Sequence, residues 1–274
     1  MKKLNRRATA AVTASVILAI ILAIYIGGAL LPTSALQANF SQKGLPPSWS
    51  HLFGTDFLGR DMFVRTVKGL SLSLTVGAAA SVISAFIALA VGVTAAMGKG
   101  VIDHAINWFI DVFMSVPHTV LIILISIAFS RGAVGMLIGV ALTHWVGLAR
   151  IIRGEVLQIR AKQYIIASKR FGKSPLWIAK NHILPHMVPQ FFVGLILLFP
   201  HAIMHESGLT FLGFGLPPEQ PAIGIILSET MKYISSGAVW LAFFPGFSLV
   251  ILVLLIDKLG NTLRYLLEPR EAQL

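Results

Sequence analysis

Cysteine is absent from the 274 residues. That excludes a disulfide framework, a thiolate zinc site and a cysteine nucleophile. Charge is scarce as well: Asp, Glu, Lys and Arg make up 12% of the chain, against about 25% in soluble domains. Acidic residues are the scarcest, 11 against 22 Lys and Arg, which leaves a formal charge of +11 with His neutral. Hydrophobic residues fill 56% of the chain, and the mean hydropathy is +0.81. This balance excludes a disordered chain and argues against a soluble globule. It reads as an integral membrane protein. A basic excess also suits nucleic acid. In a membrane protein, however, basic residues collect in cytoplasmic loops, so their positions decide between the two.

Six apolar stretches can cross a bilayer at roughly 20 residues per crossing: 8–31, 71–97, 106–130, 133–152, 188–205 and 239–256. The first follows Lys2, Lys3, Arg6 and Arg7, as the core of a signal peptide would. It exceeds the 7–15 apolar residues of such a core, so it is expected to be an uncleaved span. Asp111 and Pro117 interrupt the third stretch, and proline removes a helical hydrogen bond, so a kink or helix start is expected there. Residues 32–70 read as extramembrane, and 206–237 read as mixed, with Pro217-Pro218 and Pro221. The expected fold is therefore all-α and polytopic, with six transmembrane helices. The expected division is 1–70, an N-terminal span with an extracytoplasmic segment, and 71–274, a core with a cytoplasmic loop at 160–186.

Six crossings place both termini on one side. Sixteen of the 22 basic residues then share that side. The positive-inside rule makes it cytoplasmic, and both termini with it. Topology thus accounts for the basic excess, and nucleic acid is not an expected partner. No internal repeat recurs at a fixed period.

The most informative polar segment runs from Gln163 to Gly172 and on to Leu184-Pro185. It is too polar to span. Small residues at Ala167 and Ser168, then Gly172, then Pro175, describe a short helix, a tight turn, a second short helix and a stop before the next span. Small side chains permit close approach by a docking partner. A helix lying on anionic lipid, held by Lys and Arg, fits the same pattern. Periodicity alone leaves both readings open.

Here the chain resembles a family. Ala167, Ser168, Gly172, Leu184 and Pro185 resemble the EAA loop of ABC importer permeases, with Ile166 at the usual Glu position. Gly54-Thr55-Asp56-Phe57-Leu58-Gly59-Arg60-Asp61 resembles the GTDxLGRD motif of the dipeptide/oligopeptide/nickel permeases, C-type subunit. Phe211 to Pro218 resembles their FLGLGxxPP stretch, although Ala222-Ile223-Gly224 stands where the family usually has Trp-Gly.

The resemblance implies a type I-like permease in the bacterial inner membrane. It implies a homologous second permease, with a translocation path between the two chains. It also implies two cytoplasmic ATPase subunits gripping the EAA loop, and an extracytoplasmic substrate-binding protein. Alternating access would follow from rigid-body rocking. ATP and Mg would sit on the ATPases. This chain is then expected to bind no cofactor and to be no enzyme, and it has no GxxxxGK[ST] phosphate loop.

Within the motif, Asp56, Arg60 and Asp61 are read chiefly as a fold-defining network, with docking of the binding protein as the other reading. His201, His205 and Glu206 are candidates for the path or for metal contact. Positions i and i+4 share a helix face, and imidazole suits nickel, copper or zinc. Hydrogen bonds to neighbouring helices are the competing role. His118 and His144 give less to argue from; His144, near mid-span, can pack against the second permease. Asp111 is read as a cap or a partner for a basic loop residue, Asp257 as an interfacial anchor, and Glu229 as a docking or solvated loop residue. An intramembrane hydrolase is a distant alternative. HExxH needs Glu directly after the first His, whereas Glu206 follows the second. Peptides or nickel, free or chelated, are the expected cargo.

Overall fold

A computed structural model describes residues 6–98 and 100–267. Lys2, Lys3, Lys99, Arg270 and both termini, on which part of the charge argument rests, lie outside the described residues.

Every regular element among the described residues is helical. In chain order these are α1 (Arg6–Leu30), α2 (Met62–Met97), α3 (Val101–Ser115), α4 (His118–Ala128) and α5 (Ala133–Arg160). There follow α6 (Gln163–Arg170), α7 (Pro175–Ile178), α8 (Leu184–Phe211), α9 (Ile223–Met231) and α10 (Trp240–Leu267). Five helices are long and apolar enough to cross a membrane: α1, α2, α5, the continuous stretch 175–211 and α10. A sixth crossing exists if α3 and α4 are counted together.

Three sequence expectations need correction, whereas the break expected at Pro117 is present: the third stretch is two helices meeting at 96°. Pro117 has no N–H to continue the ladder, and Val116 before it is extended, at φ −86° and ψ 134°, as a residue preceding proline prefers. The second crossing begins at Met62, capped by the Asp61 carboxylate accepting from Val64 N. Arg65 and Lys68 make its first turns look extramembrane, but both are satisfied inside the protein, Lys68 by the Gly28 carbonyl at 3.0 Å. The expected boundary at residue 70 therefore falls inside a helix. Leu184-Pro185 is no stop either. A π-turn over Ala179–Ile183 joins α7 to α8 without a break, and Pro185 follows directly after that widened turn, an irregularity of the ladder at which a missing N–H is accommodated. Last, the mixed segment 206–237, from which an outer loop at Glu229 is expected, contains the helix α9, whose Ile223, Gly224, Ile225 and Ile226 are all buried.

α2 is the centre of the bundle. Its buried face runs Gly69, Ser73, Gly77, Ser81, Ala85, Ala88 and Gly92. Lipid tails are as apolar as leucine, so helices in a bilayer associate through close van der Waals packing, which small residues permit. α5 and α8 pack along this stripe. Toward one end, Ala88, Ala149, Ile152, Ile165, Ile178 and Met187 share a buried cluster. Toward the other, Met62, Ile203, Ile223, Leu241 and Leu252 do. α1 and α10 flank the bundle and leave Val16, Leu22, Ile26, Phe247 and Leu254 exposed, as lipid-facing surfaces should be.

Ionic contacts fix the two ends. At the end bearing α6, Arg153 grips Asp103 through two bonds of 2.7 and 2.6 Å. Arg160 donates to the Ala96 carbonyl, and Arg150 pairs with Asp111. These contacts tie the end of α2 and the start of α3 to α5. This is called the basic end. The opposite end, bearing Gly54–Asp61, is called the motif end.

Candidate functional site

The motif end is a closed network. Asp56 accepts from the backbone N–H groups of Leu58 and Arg60 at 2.9 and 2.8 Å. It also accepts from Arg60 Nε at 2.6 Å and Arg65 Nη1 at 2.7 Å. Both arginines reach on to Glu229 of α9, at 3.0 and 2.8 Å. Thr55 is fully buried and its hydroxyl accepts from Leu45 N at 2.8 Å. Asp61 caps α2 and bonds His51 Nδ1 at 2.7 Å. Gly59 turns the chain at φ +75°, and a Cβ there would stand 1.8 Å from the Asn39 carbonyl oxygen. The Gly54 N–H donates to the His51 carbonyl at 2.8 Å.

The motif residues are thus joined to one another and to two residues that sequence reading did not connect with them. Arg65 lies in the first turns of α2, which apolar runs alone place later. Glu229 reads as a loop residue in the sequence, yet α9 holds it against both arginines. Beside this network lies a cleft of about 460 Å³ lined by Lys43, Phe57, Arg60, Glu229, Lys232 and Tyr233.

The basic end is built differently. α6, the left-handed turn at Gly172 (φ +75°) and α7, capped by Ser174 accepting from Trp177 N, project from the bundle. Ile165 and Ile178 are buried at 0% and 1% exposure and anchor the loop, whereas Phe171 and Leu176 are 83% and 79% exposed. Ser168 donates to the Tyr164 carbonyl and lies 3.1 Å from His182 Nε2. Ala167 is half-buried, and Leu184 and Pro185 are exposed on the first turn of α8. No Cβ at Gly172 would meet another atom within 4 Å, so only its backbone conformation asks for glycine there.

The intramembrane candidates divide. His201 is exposed. Glu206 is fully buried and turns away to Ser73 at 2.6 Å, Ser207 at 3.1 Å and Thr210 at 3.2 Å, all hydroxyl donors. The set expected from α8 alone therefore does not form, because a carboxylate inside an apolar bundle takes the nearest hydroxyls. His205 instead meets His118 and His144, with ring centroids 4.9 and 5.2 Å away, while those two lie 4.6 Å apart. No spacing in the sequence announces this group, since its members sit on three helices.

Residues 88–273 match the family described as the binding-protein-dependent transport system inner membrane component. The chain belongs to this family. Among curated relatives, it is 36% identical to the dipeptide transport system permease protein DppC of Bacillus subtilis (strain 168), covering 89% of this chain and 77% of that one. It is 32% identical to the oligopeptide transport system permease protein OppC of the same organism, over 85% and 76%. The permease also shares its fold with a chain of the MetNI methionine ABC transporter in an inward-facing conformation. That match has a TM-score of 0.59 and 20% identity, and covers 76% of this chain and 98% of that one. The protein is accordingly an ABC importer permease component of the peptide family, a multi-pass inner-membrane protein.

Proposed function

We propose that this permease forms, with a homologous second permease, the path of an ATP-driven importer for di- or oligopeptides. The observation that supports the reading best is the loop at the basic end. It is fixed to the bundle by buried isoleucines and presents exposed apolar side chains, Phe171 and Leu176, flanked by Lys169, Arg170 and Lys173. A rigidly mounted apolar patch with a basic rim suits protein docking. Two ATPase subunits gripping such loops would turn ATP-driven closure into helix movement, with Ala167, Ser168, Gly172, Leu184 and Pro185 as the contact zone on this chain. ATP and Mg would be held by those subunits.

The basic end is then cytoplasmic and the motif end extracytoplasmic, where the substrate-binding protein delivers cargo. The names of the curated relatives support peptides as the cargo. Nickel or a metal chelate is the second reading, and the gathered imidazoles favour it.

The test is uptake by proteoliposomes holding the complete assembly and its binding protein. Labelled dipeptide and labelled nickel are offered in parallel, with and without ATP. ATP-dependent accumulation of peptide is expected. Accumulation of nickel alone would replace the peptide reading, and accumulation of neither would overturn the importer reading.

A further inference from the structure

His118, His144 and His205 come from α4, α5 and α8, and each offers one nitrogen within 4.8 Å of the others. Among the described residues they are the group of three or more His, Cys, Asp or Glu side chains so placed. His144 is 8% exposed, and its Nδ1 lies 2.9 Å from the Val140 carbonyl oxygen. A carbonyl only accepts, so Nδ1 carries the proton and Nε2 is left with a bare lone pair. That Nε2 is buried and has no hydrogen-bond partner. A histidine whose one nitrogen is held by a carbonyl while the other stands free is the arrangement found behind metal-ligating imidazoles. Three polar rings gathered inside an apolar bundle, one with an unmet acceptor, are costly unless something satisfies them.

We propose that these three histidines form a site for one divalent late transition-metal ion of the nickel or zinc class. Imidazole nitrogens suit those ions, and bonds of about 2.0–2.1 Å would set the nitrogens roughly 3.3 Å apart in a tetrahedral site. The nitrogens must therefore close in by up to about 1.5 Å. His118 is placed to move, as the first residue of α4 directly after the 96° bend at Pro117. A cleft of about 350 Å³ lined by Met114, Pro117, His118 and Thr143 opens beside it. It leaves room for water or a donor atom of a chelate as the fourth ligand. That the ion is cargo rests on the importer reading; that the site binds it does not.

The experiment is metal binding to the tag-free purified assembly without ATP. Ni2+ and Zn2+ are titrated against a chromophoric chelator, and Co2+ is added for its visible d–d bands. One equivalent per copy of this chain is expected. His118→Ala and His205→Ala should each weaken it at least tenfold and abolish the cobalt bands. His144→Gln, which keeps a polar group of similar size, guards against misfolding and should do the same. His201→Ala should stay within twofold of the parent. Absence of bound metal, or parent-like binding by His118→Ala or His205→Ala, would overturn the site, as would equal damage from His201→Ala. Metal binding without ATP-driven uptake of any cargo would overturn the importer reading and leave the site standing. Peptide uptake by an assembly that binds no metal would overturn only the site.

Discussion

The two ends of the molecule solve opposite problems. At the motif end, Asp56, Arg60, Arg65 and Glu229 satisfy one another, and Thr55 and Asp56 are 0% and 4% exposed. At the basic end, Phe171 and Leu176 stand in the open, largely exposed. The first region is complete within one chain. The second is an incomplete surface mounted on a complete one. Buried charges in a bilayer protein must find partners at home, because leaving one unpaired costs several kcal/mol. Exposed apolar side chains beyond the lipid carry only a modest cost, so they can wait for a partner chain.

This contrast can be broken from either side. The largest effect is expected from Arg65→Ala. It leaves Asp56 and Glu229 sharing only Arg60, and should lower stability by about 3 kcal/mol. Loss of the folded chain from membranes, or a fall of several degrees in its unfolding temperature, would be the readout. An unchanged melting profile would show that the network is not a structural closure.

Gly172→Asp should act at the other end and in the other currency. The side chain meets open space, so the fold loses only the roughly 1 kcal/mol of a left-handed non-glycine residue, while ATP-driven uptake falls tenfold or more. Normal uptake by this variant would remove the coupling assignment.

Glu229→Gln keeps the shape of the motif end but gives up one charge. With a third of the side chain exposed, the expected loss is about 0.5–1 kcal/mol in a denaturation series, reduced further by salt.

The smallest change in stability is expected from Phe171→Ala with Leu176→Ala, within about 0.5 kcal/mol of the parent. Co-purification of ATPase subunits should nevertheless drop. A large stability loss here would mean that the two side chains pack within their own chain after all.

Much of this molecule was legible in its sequence. The membrane class, the crossings and the segment around Gly172 follow from apolar runs, charge and turn residues, which act locally. Even the bend at Pro117 follows from the missing N–H of one residue, although the change of direction at α3–α4 does not. Local signals mislead where charges sit inside a helix, at Arg65 and Lys68, and where a proline follows a π-turn, at Pro185. Hydropathy sees a charged side chain but not the partner that satisfies it, and the partners of Arg65 come from the motif loop and from α9. The small-residue face of α2 was present in the sequence as a repeating row of Gly, Ala and Ser, but nothing local says which helices it receives.

Sequence alone determined that the chain is helical and lives in a bilayer. It determined a turn at Gly172 and a charged motif before the second crossing. These depend on the solvation of single residues and on backbone preferences a few residues long. Tertiary structure alone decided that Glu206 bonds to Ser73, Ser207 and Thr210 rather than to a histidine. It also decided that His205 meets His118 and His144. Inside a low-dielectric bundle a polar group takes whichever partner the packing of other helices brings within about 3 Å, and that packing is written in no one stretch of the chain.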